Sequence, residues 1–171
     1  MIVPVATFEN YTGVFGDPLA ESYLTAAQEK VEKYLGYTLE AADYETTTKG
    51  HGRDYVRLAA APINSVESVT VGGVALESFR FDSKGYLYTS DGSVFADESA
   101  VSVSYNAGYT AENLPNLIMT TILQIAALRQ IESGQNIGVS SKTFGDAGTR
   151  VFLSTRKYND FLINISSYKF V

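Results

Sequence analysis

Apolar residues recur at helical spacing in three stretches of the chain, and a long region of alternating apolar and polar residues lies between the first two. The first periodic stretch follows Asp17-Pro18, where Asp can cap a helix N-terminus and Pro fits the first helical position. Ala20, Tyr23, Leu24, Ala27, Val31, Tyr34 and Leu35 mark one face, and Gln28, Glu29, Lys30, Glu32 and Lys33 mark the other. Gly36 is a stop signal. The spacing predicts an amphipathic helix over Asp17–Leu35. After Pro115, Leu117, Ile118, Ile122, Ile125, Leu128 and Ile131 repeat the pattern, and Met119, Leu123, Ala126 and Ala127 widen it. Such a helix is apolar over most of its circumference, so its own domain or a neighbour must cover it on several sides. It is expected to end at Glu132 to Gly134. The third helix is short: Ser154 or Thr155 can cap it, and Tyr158, Phe161, Leu162 and Ile165 follow at i, i+3, i+4 and i+7.

From Tyr44 to Tyr105 the period changes from 3.6 to 2. Val66, Val69 and Val71 lead to Gly72-Gly73, a hairpin signal, with Val74 and Leu76 beyond it. Asp82-Ser83-Lys84-Gly85 and Ser90-Asp91-Gly92 bracket Tyr86, Leu87 and Tyr88. Val101, Val103 and Tyr105 alternate with Ser102 and Ser104. No stretch between these strands is long enough for a crossover helix, which favours an antiparallel sheet. Gln135 to Thr149, QNIGVSSKTFGDAGT, is rich in Gly, Ser and small polar residues. It reads as an extended arm or loop over 135–150, and structureless segments of about 15 residues in a domain are often functional. The expected fold is α+β, in a single domain over 1–171. A small bundle of three main helices carries a strand-rich insertion over 44–105, and the arm precedes the C-terminal helix.

Composition narrows the function. The 171 residues include no cysteine, so disulfides, thiolate metal sites and a cysteine nucleophile are excluded. The net charge of −6 argues against broad gripping of nucleic acid, which relies on Lys and Arg displacing phosphate counterions. It suits a surface that DNA slides past without sticking. Neither a membrane span nor a secretory signal is expected. Tyrosine is frequent, 12 against 9 Phe and no Trp, which suits strands and also interfaces that are wet at the rim.

Candidate chemistry is sparse. His51 is the single histidine and sits between two glycines, as in an exposed turn. Asp82 and Asp91 fall in turn sequences, and Asp97-Glu98 reads as a solvated pair. No Walker, dinucleotide or G-x-S-x-G pattern occurs, and no basic cluster has interleaved aromatics. No catalytic residue, metal ligand or cofactor site is expected.

Three segments together resemble the head–tail connector (adaptor, or head-completion) family of tailed bacteriophages. One is the helix ending AAQEKVEKYLGYTL, with the extended DYVRLAAAPINSVESVTV after it. The second is VSVSYNAGYTAENLPNLIMTTILQIAALRQIESG, a strand, a Tyr-x-Ala-Gly-Tyr turn, a Pro and a long apolar helix. The third is IGVSSKTFGDAGTRVFLSTRKYNDFLINISSYKF, an arm and a short closing helix. The resemblance spans about Ala20 to Phe170, and the strand-rich insertion sets the chain apart from shorter members. It implies a non-enzymatic virion protein made in the host cytoplasm. Twelve copies would form a ring between the portal of the filled capsid and a stopper or tail-completion protein, with DNA passing through unbound. Leu117, Ile118, Ile125, Leu128, Ile137, Val139 and Phe144 would then serve self-assembly. Tyr158, Phe161, Leu162, Ile165, Tyr168 and Phe170 would form the portal-binding segment. The other readings are a head-closure or tail-completion protein, a small-molecule-binding module and an uncharacterised hydrolase.

Overall fold

The first helix of the chain is one that periodicity did not announce. In the structure, a computed structural model describing residues 1–133, 141–143, 149–151 and 156–169, α1 (Val5–Thr12) follows Pro4 and stops at Gly13. Gly13 adopts φ 71°, which lets its N–H return to the Glu9 carbonyl at 2.8 Å. Its buried residue is Phe8. α2 (Ala20–Leu35) is the expected amphipathic helix, ended by Gly36 in the same left-handed conformation. It begins three residues after Asp17. That side chain closes a turn by accepting the Leu19 N–H at 2.9 Å, and its second oxygen accepts from Gln130 at 2.8 Å.

The chain folds as two compact units, Met1–Gly36 with Asn113–Val171, and Tyr37–Glu112. In the first, α3 (Asn116–Ser133) is packed by α1, by α2 and by α4 (Arg156–Asn164). Having several neighbours is why α3 can be apolar almost all round: Ile118, Ile122, Leu123, Ile125, Ala126 and Leu128 are all buried. Ala20, Leu24, Ala27, Val31 and Leu35 of α2 are buried too. The buried Gln28 is satisfied, accepting from the Ile2 N–H and donating to Glu32, both at 2.9 Å. A single 3₁₀ turn, Ser166–Tyr168, follows α4.

The second unit holds seven strands: β1 (Ala42–Lys49), β2 (Tyr55–Arg57), β3 (Ile63–Val71), β4 (Val74–Ala75), β5 (Phe79–Phe81), β6 (Tyr86–Thr89) and β7 (Ala100–Ala107). They make two antiparallel sheets, ordered β1-β7-β3-β4 and β2-β6-β5. The sheets share one core, with Val56, Leu58 and Leu87 meeting Val69, Val101, Val103 and Tyr105. Tyr105 stacks on Tyr44 with ring centres 5.5 Å apart, and its hydroxyl accepts the Ala60 N–H at 3.2 Å. Gly72 and Gly73, at φ 58° and 82°, make the two-residue turn between β3 and β4. The two ends of the unit are tied side by side. The Tyr109 N–H donates to the Leu39 carbonyl at 2.7 Å, and the Ala41 N–H donates to the Tyr109 carbonyl at 2.9 Å.

In the expected arm, β8 (Ser141–Thr143) and β9 (Thr149–Val151) pair antiparallel. The rest of 135–150 lies outside the described residues, as do the cap candidates Ser154 and Thr155.

Candidate functional site

The α3 residues proposed from sequence for self-assembly divide sharply. Ile118, Ile125 and Leu128 are buried in the subunit's own core, so they hold the bundle together and offer no free face. Leu117 is 43% exposed, and Ile131, which sequence reasoning placed on the buried stripe, is 55% exposed. Ile137, Val139 and Phe144 lie outside the described residues.

The C-terminal segment divides in the same way. Tyr158, Leu162 and Ile165 are buried, whereas Phe161 and Tyr168 are half-buried, and Phe170 lies outside the described residues. Tyr158 donates to Glu132 at 2.6 Å, and Lys30 lies 4.4 Å from its ring centre. Burial and the Glu132 bond both push the Tyr158 phenol well above its ordinary range. Lys169 caps the face of Tyr34 at 3.9 Å. The periodic face of α4 is thus its inward face, and Ile163, a large apolar residue 61% exposed, is turned outward beside Asn159, Asp160 and Asn164. Between α1 and α2, Phe15 is 68% exposed, and the Gly16 N–H beside it donates to the Glu9 carboxylate at 2.7 Å.

The outer faces of the strand unit carry a feature that the linear sequence hides. Registers Tyr55↔Tyr88, Arg57↔Tyr86 and Arg80↔Tyr88 place these five side chains on the face of the smaller sheet opposite Val56 and Leu87. The three tyrosine rings lie 5.6 to 6.3 Å apart. Arg57 stands over Tyr86 at 5.8 Å and Arg80 over Tyr88 at 4.7 Å, while Arg53 stands over Tyr55 at 5.5 Å and bonds its hydroxyl. The expectation of no basic cluster with interleaved aromatics therefore fails in space: three strands assemble one. The signal was present in the Y-V-R and Y-L-Y triplets, whose outer residues share a face in a strand. A cavity of about 480 Å³ beside this face is lined by Thr48, Lys49, His51, Arg53, Tyr55, Val56 and Arg57. Asp82 lies beside Tyr88, accepting from its hydroxyl and from the Lys84 and Tyr86 N–H groups. Partial burial, then that carboxylate, raises the Tyr88 phenol.

The larger sheet turns a different surface outward. Asp43, Glu45 and Thr47 alternate with the inward Tyr44, Thr46 and Thr48, facing Asn106, Ser104 and Ser102 across the β1–β7 pair. Ser68 and Thr70 continue this face on β3, and Glu67 accepts from Ser104 at 3.4 Å. Its shallow recess of about 410 Å³ is lined almost wholly by hydroxyls and Glu45. The basic residue of β1, Lys49, sits at the strand's end and pairs with Glu98.

Among the described residues no three His, Cys, Asp or Glu side chains gather as a metal site, and no helix is long and apolar enough to cross a membrane. His51 is exposed in its turn. A chain with an α+β fold, two self-contained cores and patterned outer faces has the build of an assembling structural protein. The head completion protein family model matches residues 3–149, and the chain belongs to that family; it is a structural virion protein. Its fold is similar to chains in three solved structures. One is described as the neck of an empty gene transfer agent particle computed with C6 symmetry (TM-score 0.65, 16% identity). Another is the neck of the native particle computed with C12 symmetry (0.64, 17%), and the third is the virion of that native particle (0.62, 16%). Each match covers 99% of this chain and 90% of the other. No curated protein matches.

Proposed function

We propose that the protein forms a homo-oligomeric ring at the head–tail interface of a virion, joining the portal to the tail or a stopper and leaving a channel for DNA. The observation that carries this reading is the family match over residues 3–149 together with a full-length fold likeness to chains in neck assemblies. The C12 symmetry used for one of those necks supports twelve subunits. The role is mechanical and needs no catalysis, cofactor or metal. A net charge of −6 suits a passage that must not retain DNA. Closed rings use head-to-tail contacts in which two different surfaces of each subunit meet. In this reading Leu117 and Ile131, the exposed large apolar residues of α3, together with the arm that holds Ile137, Val139 and Phe144, serve contacts between subunits. Phe161, Ile163, Tyr168 and Phe170 are the segment offered to the portal, with Tyr158, Leu162 and Ile165 holding it in place.

The test is the mass of the purified chain by light scattering, alone and mixed with portal particles of the same virus. A ring or a stoichiometric portal complex is the expected result. A monomer that ignores the portal would overturn the reading.

A further inference from the structure

The strand unit has two outer faces of opposite chemistry on opposite sides of one core. On the smaller sheet Arg57 and Arg80, joined by Arg53, are spread over a platform of three tyrosines. On the larger sheet Asp43, Glu45 and Glu67 stand among Thr47, Ser68, Thr70, Ser102 and Ser104. The first face offers planar cations and aromatic area, the residue types enriched at the energetic centre of protein interfaces. The second offers carboxylates and hydroxyls, the acceptors that guanidinium groups bind in paired hydrogen bonds. Neither face is self-complementary, because arginine would meet arginine and carboxylate would meet carboxylate. Each complements the other.

We propose that the arginine–tyrosine face of the smaller sheet docks onto the acidic, hydroxyl-lined face of the larger sheet of a second copy of this chain. The inference deepens the ring reading and rests on it, since a contact between two different faces of identical subunits is the head-to-tail kind that closes a ring. Stacking holds the arginines in place before binding, so little side-chain freedom is lost when they meet a carboxylate. The shallow recess containing Glu45 gives the exposed Arg80 side chain somewhere to go. Nucleic acid is the competing occupant of an arginine–tyrosine surface. A second copy is favoured because the complementary face is present on the same chain.

The test reverses each face in the full-length protein and reads assembly by sedimentation velocity, alone and on portal particles. Arg57→Glu with Arg80→Glu makes both faces acidic, and Glu45→Lys with Glu67→Lys makes both basic. Each pair should weaken assembly at least about tenfold, through like charges brought together. The two variants mixed in equal amounts should assemble again in alternation. The quadruple variant, whose net charge equals that of the wild type, should assemble alone. Circular dichroism checks that each variant folds; if the arginine pair does not, Arg80→Glu alone, on an exposed side chain, carries the same expectation. Paired variants that fold and assemble like the wild type would overturn the inference and leave the ring reading standing. So would unchanged assembly with lost binding to a labelled 20-base-pair DNA duplex, which would assign the face to DNA. A wild-type chain that assembles under neither condition would overturn the ring reading and this inference with it.

Discussion

The helical unit and the strand unit solve the same problem with different periods. In the helical unit, α3 has helices on several sides and hides nearly all its apolar residues, so its outward residues, Leu117 and Ile131, are exceptions on a mixed surface. In the strand unit each strand has one side in the core and one side out. Two sheets therefore yield two separate outer faces, and the sequence can give each its own charge. The helical unit is built around its interior. The strand unit also separates positive from negative across about two layers of chain. Stability should accordingly concentrate in α3, and the separation of charge in the faces of the sheets.

That contrast can be broken from either side. Ile125→Asp places a charge where no polar partner waits and should destabilise the helical unit by about 4 kcal/mol or more, enough to abolish a soluble folded product. A cooperative urea transition with an unchanged midpoint would remove the buried-helix account. Gly108→Ala attacks the strand unit. Gly108 has φ 117°, and an added Cβ would lie 2.6 Å from the Glu40 carbonyl oxygen and 2.7 Å from Ala41 backbone atoms. The backbone must shift, with an expected cost of about 3 kcal/mol, read as a lowered denaturant midpoint. Tyr158→Phe is the gentlest. It removes the bond to Glu132 and should cost about 1 kcal/mol near neutral pH. Its pH dependence sharpens the point. Tyr158 ionises at higher pH in the folded state than the ordinary 10.0. The stability it contributes is therefore complete below pH 10 and is lost as pH rises from there toward the folded value. Wild-type stability should fall over that alkaline range, and the Phe variant should lack that part of the fall.

The helices were legible where their pattern was long. α2 and α3 each repeat their apolar residues over four or more turns, so their existence follows from spacing, although α2 begins at Ala20 and not at the expected Asp17. α1 was not legible, because eight residues with Phe8 as the one buried side chain carry too little periodicity; packing against α2 and α3 supplies what propensity does not. Within the strand region, alternation at Val101, Val103 and Tyr105 identified a strand and its inward face. It could not say that β7 would lie between β1, more than 50 residues away in sequence, and β3, or that the remaining strands would form a second sheet. The surfaces depended on that missing information. Tyr55 and Tyr88 meet only through register, so the Y-V-R and Y-L-Y triplets each showed a fragment of the arginine–tyrosine face and no local window showed the whole. α4 shows the converse limit: period identifies a face that packs, and Tyr158, Leu162 and Ile165 pack within their own subunit.

The tie between Leu39, Ala41 and Tyr109 has a consequence for how such a chain can change over generations. A segment whose first and last residues are hydrogen-bonded neighbours presents the rest of the polypeptide with a gap of fixed, small width. Whatever lies beyond the tie can be lengthened, trimmed or exchanged, and the entropy of closing it is already met by the pairing at its base. New surfaces can thus be tried on the far strands without disturbing the bundle's own sequence, and Gly108, which lets the two backbones approach, is the position such experiments must leave alone.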